Sequence, residues 1–544
     1  MSGRIEGPRR VRSHAGKVAR SNRGTCRRLL SAHHAALALS AAVVTLAGTA
    51  TAVAHERAPM VRVPEGWLRG TRAGGLDRYL GIPYAAPPVG ALRWQPPEPP
   101  ASWSGVRSAE TLPPRCAQLG IDGEEDCLYL NVFRPTHPRR RGRLPVLVDI
   151  HGGSLKVGSA FDNDPSRIAE STDTIVVMIN YRLSQFGFLA HPALSAESGD
   201  GASGEYGLMD QQAAIRWVSE RIAAFGGDPH NVTIAGGSAG GWSVCAHLVS
   251  EPVAGLFSGA VIQSANCVSR PLAEAEALGV EFGNSLGCTD LSNSDCLRSK
   301  TTEEILASDS WAFAPLPVTG GRLLPEAPDV AIGAGRFRRV PVLMGGTRNE
   351  LRQALTGLYP MTEETYVSLV NELFGDLAET ALKAYPSANF GGDPFEAFAE
   401  LLNDSGVVGE GVCITRRLAQ TFADYVPTYV YEFDDPEAPV PTWVNLPDGM
   451  KLGSSHGSDE VYWFDRPFDS VAPLNRSQRF LAQEMIQYLG AFVERRTPSV
   501  WFQPYWPRYD ERFESVMRFR PNAVRVRLDL AQEHRCEFWA SLGF

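Results

Sequence analysis

One stretch constrains this chain more than any other: Asn231-Val232-Thr233-Ile234-Ala235-Gly236-Gly237-Ser238-Ala239-Gly240-Gly241. The β-branched, apolar run 232–235 reads as a strand. Residues 242–249 read as a helix. Between them lies Gly236-x-Ser238-x-Gly240. A serine held on a sharp strand-to-helix turn needs neighbours without side chains. Such a turn lifts the hydroxyl clear of the sheet. It also points the first helical N–H groups at the oxyanion that attack would create. In a chain of 544 residues with 52 glycines the pattern can arise by chance. Its strand–turn–helix setting is what gives it meaning.

The flanking sequence continues the pattern. Apolar β-type runs occur at 145–150, 174–180, 260–263, 340–344 and 428–433, and 128–133 is another strand. The segment 208–225 is helical, with Ile215, Val218 and Ile222 on one face, and Gly226-Gly227-Asp228-Pro229 ends it. Strand, helix, strand at this spacing predicts parallel βαβ units with right-handed crossovers. The expected fold is α/β: a large, mostly parallel central sheet flanked by helices. Long helical insertions fall at 270–335 and 360–425, and a late amphipathic helix at 480–494. Residues 61–93 are turn-rich with short strands. No repeat of 20–50 residues and no Gly/Ser/Pro linker divides 55–544, which reads as a single catalytic domain.

Residues 1–54 differ from the rest. Nine Lys and Arg precede an uncharged run from 35 to 54 that closes on Ala52-Val53-Ala54. This reads as a secretory signal peptide with a long basic n-region. Arg27-Arg28 hints at twin-arginine export, and an uncleaved anchor is the alternative. With the leader removed, 52 basic and 61 acidic residues become 43 and 60, a net charge of −17. That balance argues against a nucleic-acid partner. No later segment is apolar and long enough to span a membrane. The expected location is secreted, the partner a small-molecule substrate, and a monomer is the default.

A secreted chain keeps disulfides. Cys116 and Cys127, and Cys288 and Cys296, lie close together in polar stretches, where short-loop bridges are plausible, although spacing alone fixes no connectivity. Cys245 and Cys267 lie in apolar runs and read as buried free thiols. No spacing resembles a metal site, and no cofactor is implied.

A serine hydroxyl needs a base. Only His247, His456 and His534 follow Ser238. His247 lies nine residues along the same helix and points away from the turn, and His534 sits in a structural segment beside Cys536. His456 lies in the glycine- and serine-rich loop Leu452-Gly453-Ser454-Ser455-His456-Gly457-Ser458, where a ring can reach across the sheet edge. In the order Ser, acid, His, the acid falls between 238 and 456. Glu350, after the strand at 340–344, is one of many candidates there. Oxyanion donors are expected from the N–H groups of Ala239, Gly153 and Ser154.

The chain resembles the type-B carboxylesterase/cholinesterase family of the α/β-hydrolase superfamily over about 60–540. The resemblance is carried by Tyr79-Leu80-Gly81-Ile82-Pro83-Tyr84, by Glu125-Asp126-Cys127-Leu128-Tyr129-Leu130-Asn131-Val132 and by Phe225-Gly226-Gly227-Asp228-Pro229-x-Asn231-Val232-Thr233. Cys536-Glu537-Phe538-Trp539 adds a C-terminal match. The resemblance implies a Ser238–Glu350–His456 triad without cofactor or metal, and the bridges Cys116–Cys127, Cys288–Cys296 and Cys413–Cys536. Three positions depart from the family pattern. Gly237 replaces a Glu, Ser154 replaces the third glycine of the oxyanion loop, and Leu351 replaces a Gly. The loop from Ala117 to Asp126 has no aromatic residue, so no choline site is expected.

The expected function is therefore a secreted serine carboxylic-ester hydrolase working through an acyl-enzyme. A non-catalytic binding homologue of the same fold, or a carbamate, amide or lactone hydrolase, are the alternatives. Trp311, Phe313, Trp443 and Trp463 are candidates for pocket walls, although buried core is the commoner fate of aromatics. Asn403-Asp404-Ser405 and Asn475-Arg476-Ser477 match the glycosylation pattern.

Overall fold

The computed structural model describes residues 58–309, 313–441, 444–464 and 472–544, all within one unit, Glu56–Phe544. The leader expected at 1–54 lies outside these residues, as do Trp311 and Trp443.

This unit is built on an eleven-stranded sheet. In chain order its strands are β1 (Thr71–Ala73), β2 (Leu76–Pro83), β3 (Tyr129–Pro135), β4 (Leu144–Ile150), β5 (Ile175–Ile179) and β6 (Gly227–Gly237). There follow β7 (Gly259–Gln263), β8 (Val342–Thr347), β9 (Thr428–Phe433), β10 (Val516–Phe519) and β11 (Arg525–Arg527). Their order across the sheet is β11-β10-β9-β8-β7-β6-β4-β5-β3-β2-β1. The seven strands from β10 to β5 are mutually parallel, and the strands beyond them at both edges are antiparallel.

Local sequence explains the central strands. All seven residues of β4 are buried and all but Asp149 are apolar, the composition of a strand covered on both faces. Val146, Val148 and Ile150 enter one core cluster and Leu147 the other. Burying each such side chain is worth about 1.5–3 kcal/mol. Helix α1 (Tyr206–Arg221) packs Leu208, Ile215 and Val218 into the first cluster. A short 3₁₀ turn, Ile222–Phe225, and Gly226 at φ 84° then swing the chain into β6. Strands β10 and β11 were not expected; at four and three residues they are too short to show a period.

The sulfur atoms of Cys116 and Cys127, Cys288 and Cys296, and Cys413 and Cys536 are bonded. Cys245 and Cys267 form a fourth bridge, with Cα atoms 5.2 Å apart, which corrects the reading of these two as free thiols. Cys245 lies on the buried face of helix α2 (Ala239–Val249), and Cys267 in the segment leaving β7, within one core cluster. Burial in an apolar run is common to paired and unpaired cysteine, so sequence could not separate the two.

Candidate active site

Ser238 stands between β6 and α2 with φ 54° and ψ −127°. A non-glycine residue adopts such a conformation at a cost of about 1–3 kcal/mol, and only where its surroundings over-determine it. The Ser238 N–H donates to the Gln263 carbonyl at 2.8 Å, and its own carbonyl accepts from Gly241 and Trp242 at 2.8 and 3.1 Å. The motif's glycines serve close packing. A Cβ on Gly236 would fall inside the backbone of Gly240, and one on Gly240 would sit on the Ile150 carbonyl oxygen at the end of β4. One on Gly152 would meet the Gly237 carbonyl oxygen at 2.7 Å and Ser238 Cβ at 3.2 Å. The loop after β4 therefore lies directly against the serine turn.

In that loop Gly153 has φ 99° and Ser154 φ 57°. The Gly153 carbonyl accepts from the N–H groups of Lys156 and Val157 at 2.9 and 3.0 Å. Ser154 thus takes a left-handed conformation, at about 1–2 kcal/mol for a residue with a Cβ. The buried Lys156 ammonium donates to the Phe313 carbonyl at 2.6 Å and fixes the loop from behind.

Glu350 follows β8 and is buried. Its Oε2 accepts from the Thr347 N–H at 2.8 Å, the Thr347 hydroxyl at 2.6 Å and the Ser264 hydroxyl at 3.3 Å. Its Oε1 is hydrogen-bonded to His456 Nδ1. The His456 N–H donates to the Glu350 carbonyl at 3.1 Å, so backbone and side chain hold the pair together. Asn403, on helix α3 (Pro394–Ser405), completes the clamp. Its Oδ1 accepts the Glu350 N–H at 3.2 Å and its Nδ2 donates to the Arg348 carbonyl at 2.9 Å.

Burial by itself would push the Glu350 carboxyl up. The His456 imidazole and the donors at Thr347 outweigh it and hold the group below the ordinary range. Burial would lower His456; the Glu350 carboxylate, with Glu410 and Glu460 behind it, raises it instead. The ring keeps 29% of its side-chain surface exposed, so solvent moderates that rise and still reaches the imidazole. Glu460 also bears on the departure at 237. Its Oε1 lies 3.5 Å from the place a Gly237 Cβ would take, so a carboxylate from the His456 loop borders the serine turn.

The other candidates fall elsewhere. His247 is buried in the core, its Nε2 2.8 Å from Gln211 Oε1, and desolvation pushes its pKa down to about 3. His534 is buried between Asp404, 2.6 Å from Nδ1, and Glu432, 3.0 Å from Nε2. Trp463 is core, with its N–H on Asp459 Oδ2 at 3.1 Å. Phe313 is half-buried. Asn403 is 1% exposed, so its glycosylation pattern is not presented by the folded chain, whereas the exposed Asn475 caps helix α4 (Arg476–Arg495) through its side chain. Sequence reasoning missed Asn403, Thr347 and Ser264 as supports of Glu350. Thr347 lies three residues before Glu350 on the same turn, but Ser264 lies 86 positions before it and Asn403 53 beyond, where no local spacing reaches.

Among the described residues, one group of side chains has metal-ligand composition: Glu400, Asp404 and His534, with ligand atoms within 4.8 Å of one another. The Arg348 guanidinium already supplies a cation there, 3.3 Å from Glu400 and 3.0 Å from His534 Nε2. The cluster reads as an ion network that ties the C-terminal segment to β9.

A doubly covered, mostly parallel sheet with a strained serine turn at the end of a central strand defines an α/β-hydrolase. Its family follows from comparison: the Carboxylesterase family model matches residues 57–539, and the chain belongs to that family. It is 33% identical over 518 residues to the human (Homo sapiens) cocaine esterase, covering 87% of this chain and 88% of that one. It is 34% identical over 470 residues to the fumonisin B1 esterase of Sphingopyxis macrogoltabida, covering 82% and 84%. Among solved structures it superposes on a PNB esterase with a TM-score of 0.73 at 30% identity, covering 88% of this chain and 98% of that one. The protein is a carboxylesterase-type hydrolase of carboxylic esters.

Proposed function

We propose that the protein is an exported serine esterase that cleaves small-molecule carboxylic esters through an acyl-enzyme, with Ser238, His456 and Glu350 as its triad. The observation that carries this reading is the His456–Glu350 pair, locked by side chain and backbone at the same sheet edge as the strained Ser238 turn. His456 takes the Ser238 proton as Oγ attacks the ester carbonyl, then delivers it to the leaving alcohol. Glu350 fixes the imidazole tautomer and stabilises the imidazolium. The N–H groups of Ala239, Gly153 and Ser154 receive the oxyanion. Water, deprotonated by His456, then releases the acid. No cofactor enters these steps.

Export is supported by the basic-then-apolar leader and by four disulfides. Among the described residues no helix is long and apolar enough to cross a membrane. We take residues 1–54 as the cleaved leader, 55–544 as one catalytic domain, and the working unit as a monomer.

The test is intact mass before and after a fluorophosphonate probe, with p-nitrophenyl ester turnover alongside. One adduct on the Ser238 peptide is expected, and Ser238→Ala should lose adduct and turnover while keeping its fold. Near-wild-type turnover by that variant would remove the assignment.

A further inference from the structure

Far from the serine turn the surface carries three aromatic rings that the fold does not bury. Trp501 is 90% exposed, Phe502 92% and Tyr505 70%. They are not on a loose tail. Arg496, just after α4, is pinned beneath the sheet, donating to Thr233 Oγ1 at 2.7 Å and also reaching Asn231 and Ser258. Between the rings, Gln503 donates to Gln487 Oε1 at 2.6 Å, and the Pro504 carbonyl accepts from the Tyr488 hydroxyl at 2.6 Å. Trp506 is fully buried. The segment is thus anchored at several points and still holds its rings outward. An exposed apolar patch of this kind marks an interaction surface.

The charge beside it says which kind. Arg140 pairs with Glu494 at 3.0 Å, which brings the run 139–143 alongside the end of α4. Arg495 donates to the Ser499 carbonyl at 2.6 Å, two residues before Trp501. Arg139, Arg141, Arg143 and Arg495 are exposed. The carboxylates that come with them, Asp173 and Glu494, are paired to Arg139, Arg140 and Arg495. Five arginines against two acids make a positive island on a chain whose formal net charge is −9. A second copy docking by two-fold symmetry would set two such islands face to face, which like-charge repulsion opposes. Tryptophan and tyrosine beside arginine are the side chains that favour the headgroup zone of a bilayer, and a basic cluster adds attraction when that bilayer is anionic.

We propose that Trp501, Phe502 and Tyr505 with the arginines of 139–143 and Arg495 form a peripheral docking surface for an anionic lipid bilayer. Arg143 immediately precedes β4, and Arg496 packs at the start of β6 and β7, whereas Ser238 follows the end of β6. The patch therefore lies at the sheet edge opposite the serine turn, about 20 Å away at a strand's rise per residue. Docked this way, the enzyme would present its catalytic edge to the surroundings and keep acting on dissolved esters.

The test is co-sedimentation of the exported protein with vesicles of phosphatidylcholine alone and of phosphatidylcholine with about 30 mol% phosphatidylglycerol, at low and high salt. Binding to the anionic vesicles only, weakened by salt, is expected. The triple variant W501A/F502A/Y505A and the pair R141S/R143S should each lower the bound fraction about tenfold or more. Both should keep wild-type turnover of soluble p-nitrophenyl acetate, which shows that they fold. No binding to anionic vesicles, equal binding to neutral ones, or unchanged binding by the triple variant would overturn the proposal. So would self-association in light scattering that the triple variant abolishes, since it would assign the patch to a second copy. Vesicle binding does not depend on catalysis, so failure here and failure of the esterase reading are separate results.

Discussion

Replacing Asn403 with Ala tests whether Glu350, the acid of the proposed triad, is held by α3 as well as by its own loop. The side chain is 1% exposed and makes two hydrogen bonds, to the Glu350 N–H and the Arg348 carbonyl. Alanine strands both backbone groups in a dry place. Each orphaned group costs about 1–3 kcal/mol, so the variant should lose about 2–6 kcal/mol of stability, less if water enters the space. The catalytic effect is separate. Glu350 keeps its carboxylate and its bonds to Thr347 but loses the bond that fixes its N–H, so the His456 imidazole bonded to it should sit loosely. Misplacement of the order of 1 Å can cost about 10²-fold in rate, and a fall of about 10–100-fold in kcat is expected. KM should hardly change, because Asn403 is expected to touch no substrate. The assay is kcat and KM on p-nitrophenyl butyrate across pH, beside thermal unfolding. A purely structural role would lower the melting point and leave kcat and its pH profile as in the wild type. That outcome would refute the positioning role and assign the placement of Glu350 to Thr347 and Ser264 alone.

Two further outcomes follow from the same geometry. In the proposed triad His456 must be neutral to take a proton, and Glu350 raises its pKa, so activity should climb with pH along a limb above the ordinary histidine value of about 6.5. Glu350→Gln should cut kcat and move that limb to lower pH; an unmoved limb would refute the pairing. The same pair stabilises the fold below the ordinary histidine pKa, and that contribution fades as pH rises through the raised value. Finally, the eight cysteines from 116 to 536 are all bridged, so a thiol titration of unreduced, denatured protein without the leader should find none. Two free thiols would restore the unpaired reading of Cys245 and Cys267, whose bridge closes a loop of about 22 residues worth about 3 kcal/mol.

What the sequence determined by itself was whatever depends on neighbours in the chain. The run from Val232 to Gly241 carries strand, turn and helix together, because the turn needs glycines at fixed offsets from the serine. The parallel strands announced themselves because a strand buried on both faces is almost wholly apolar, as at 175–179. Tertiary structure decided what depends on residues far apart. Asn403 looked like a glycosylation site until α3 set it under Glu350. Cys245 and Cys267 looked like ordinary core until α2 and the end of β7 met. Glu460 gained meaning only beside Gly237, and the rings at 501, 502 and 505 only beside the arginines of 139–143. Hydrophobic pattern is a property of the local chain, while a hydrogen bond, a disulfide or a charged island is a property of the approach between segments. Only the folded sheet, with its loops gathered at two edges, brings those segments together.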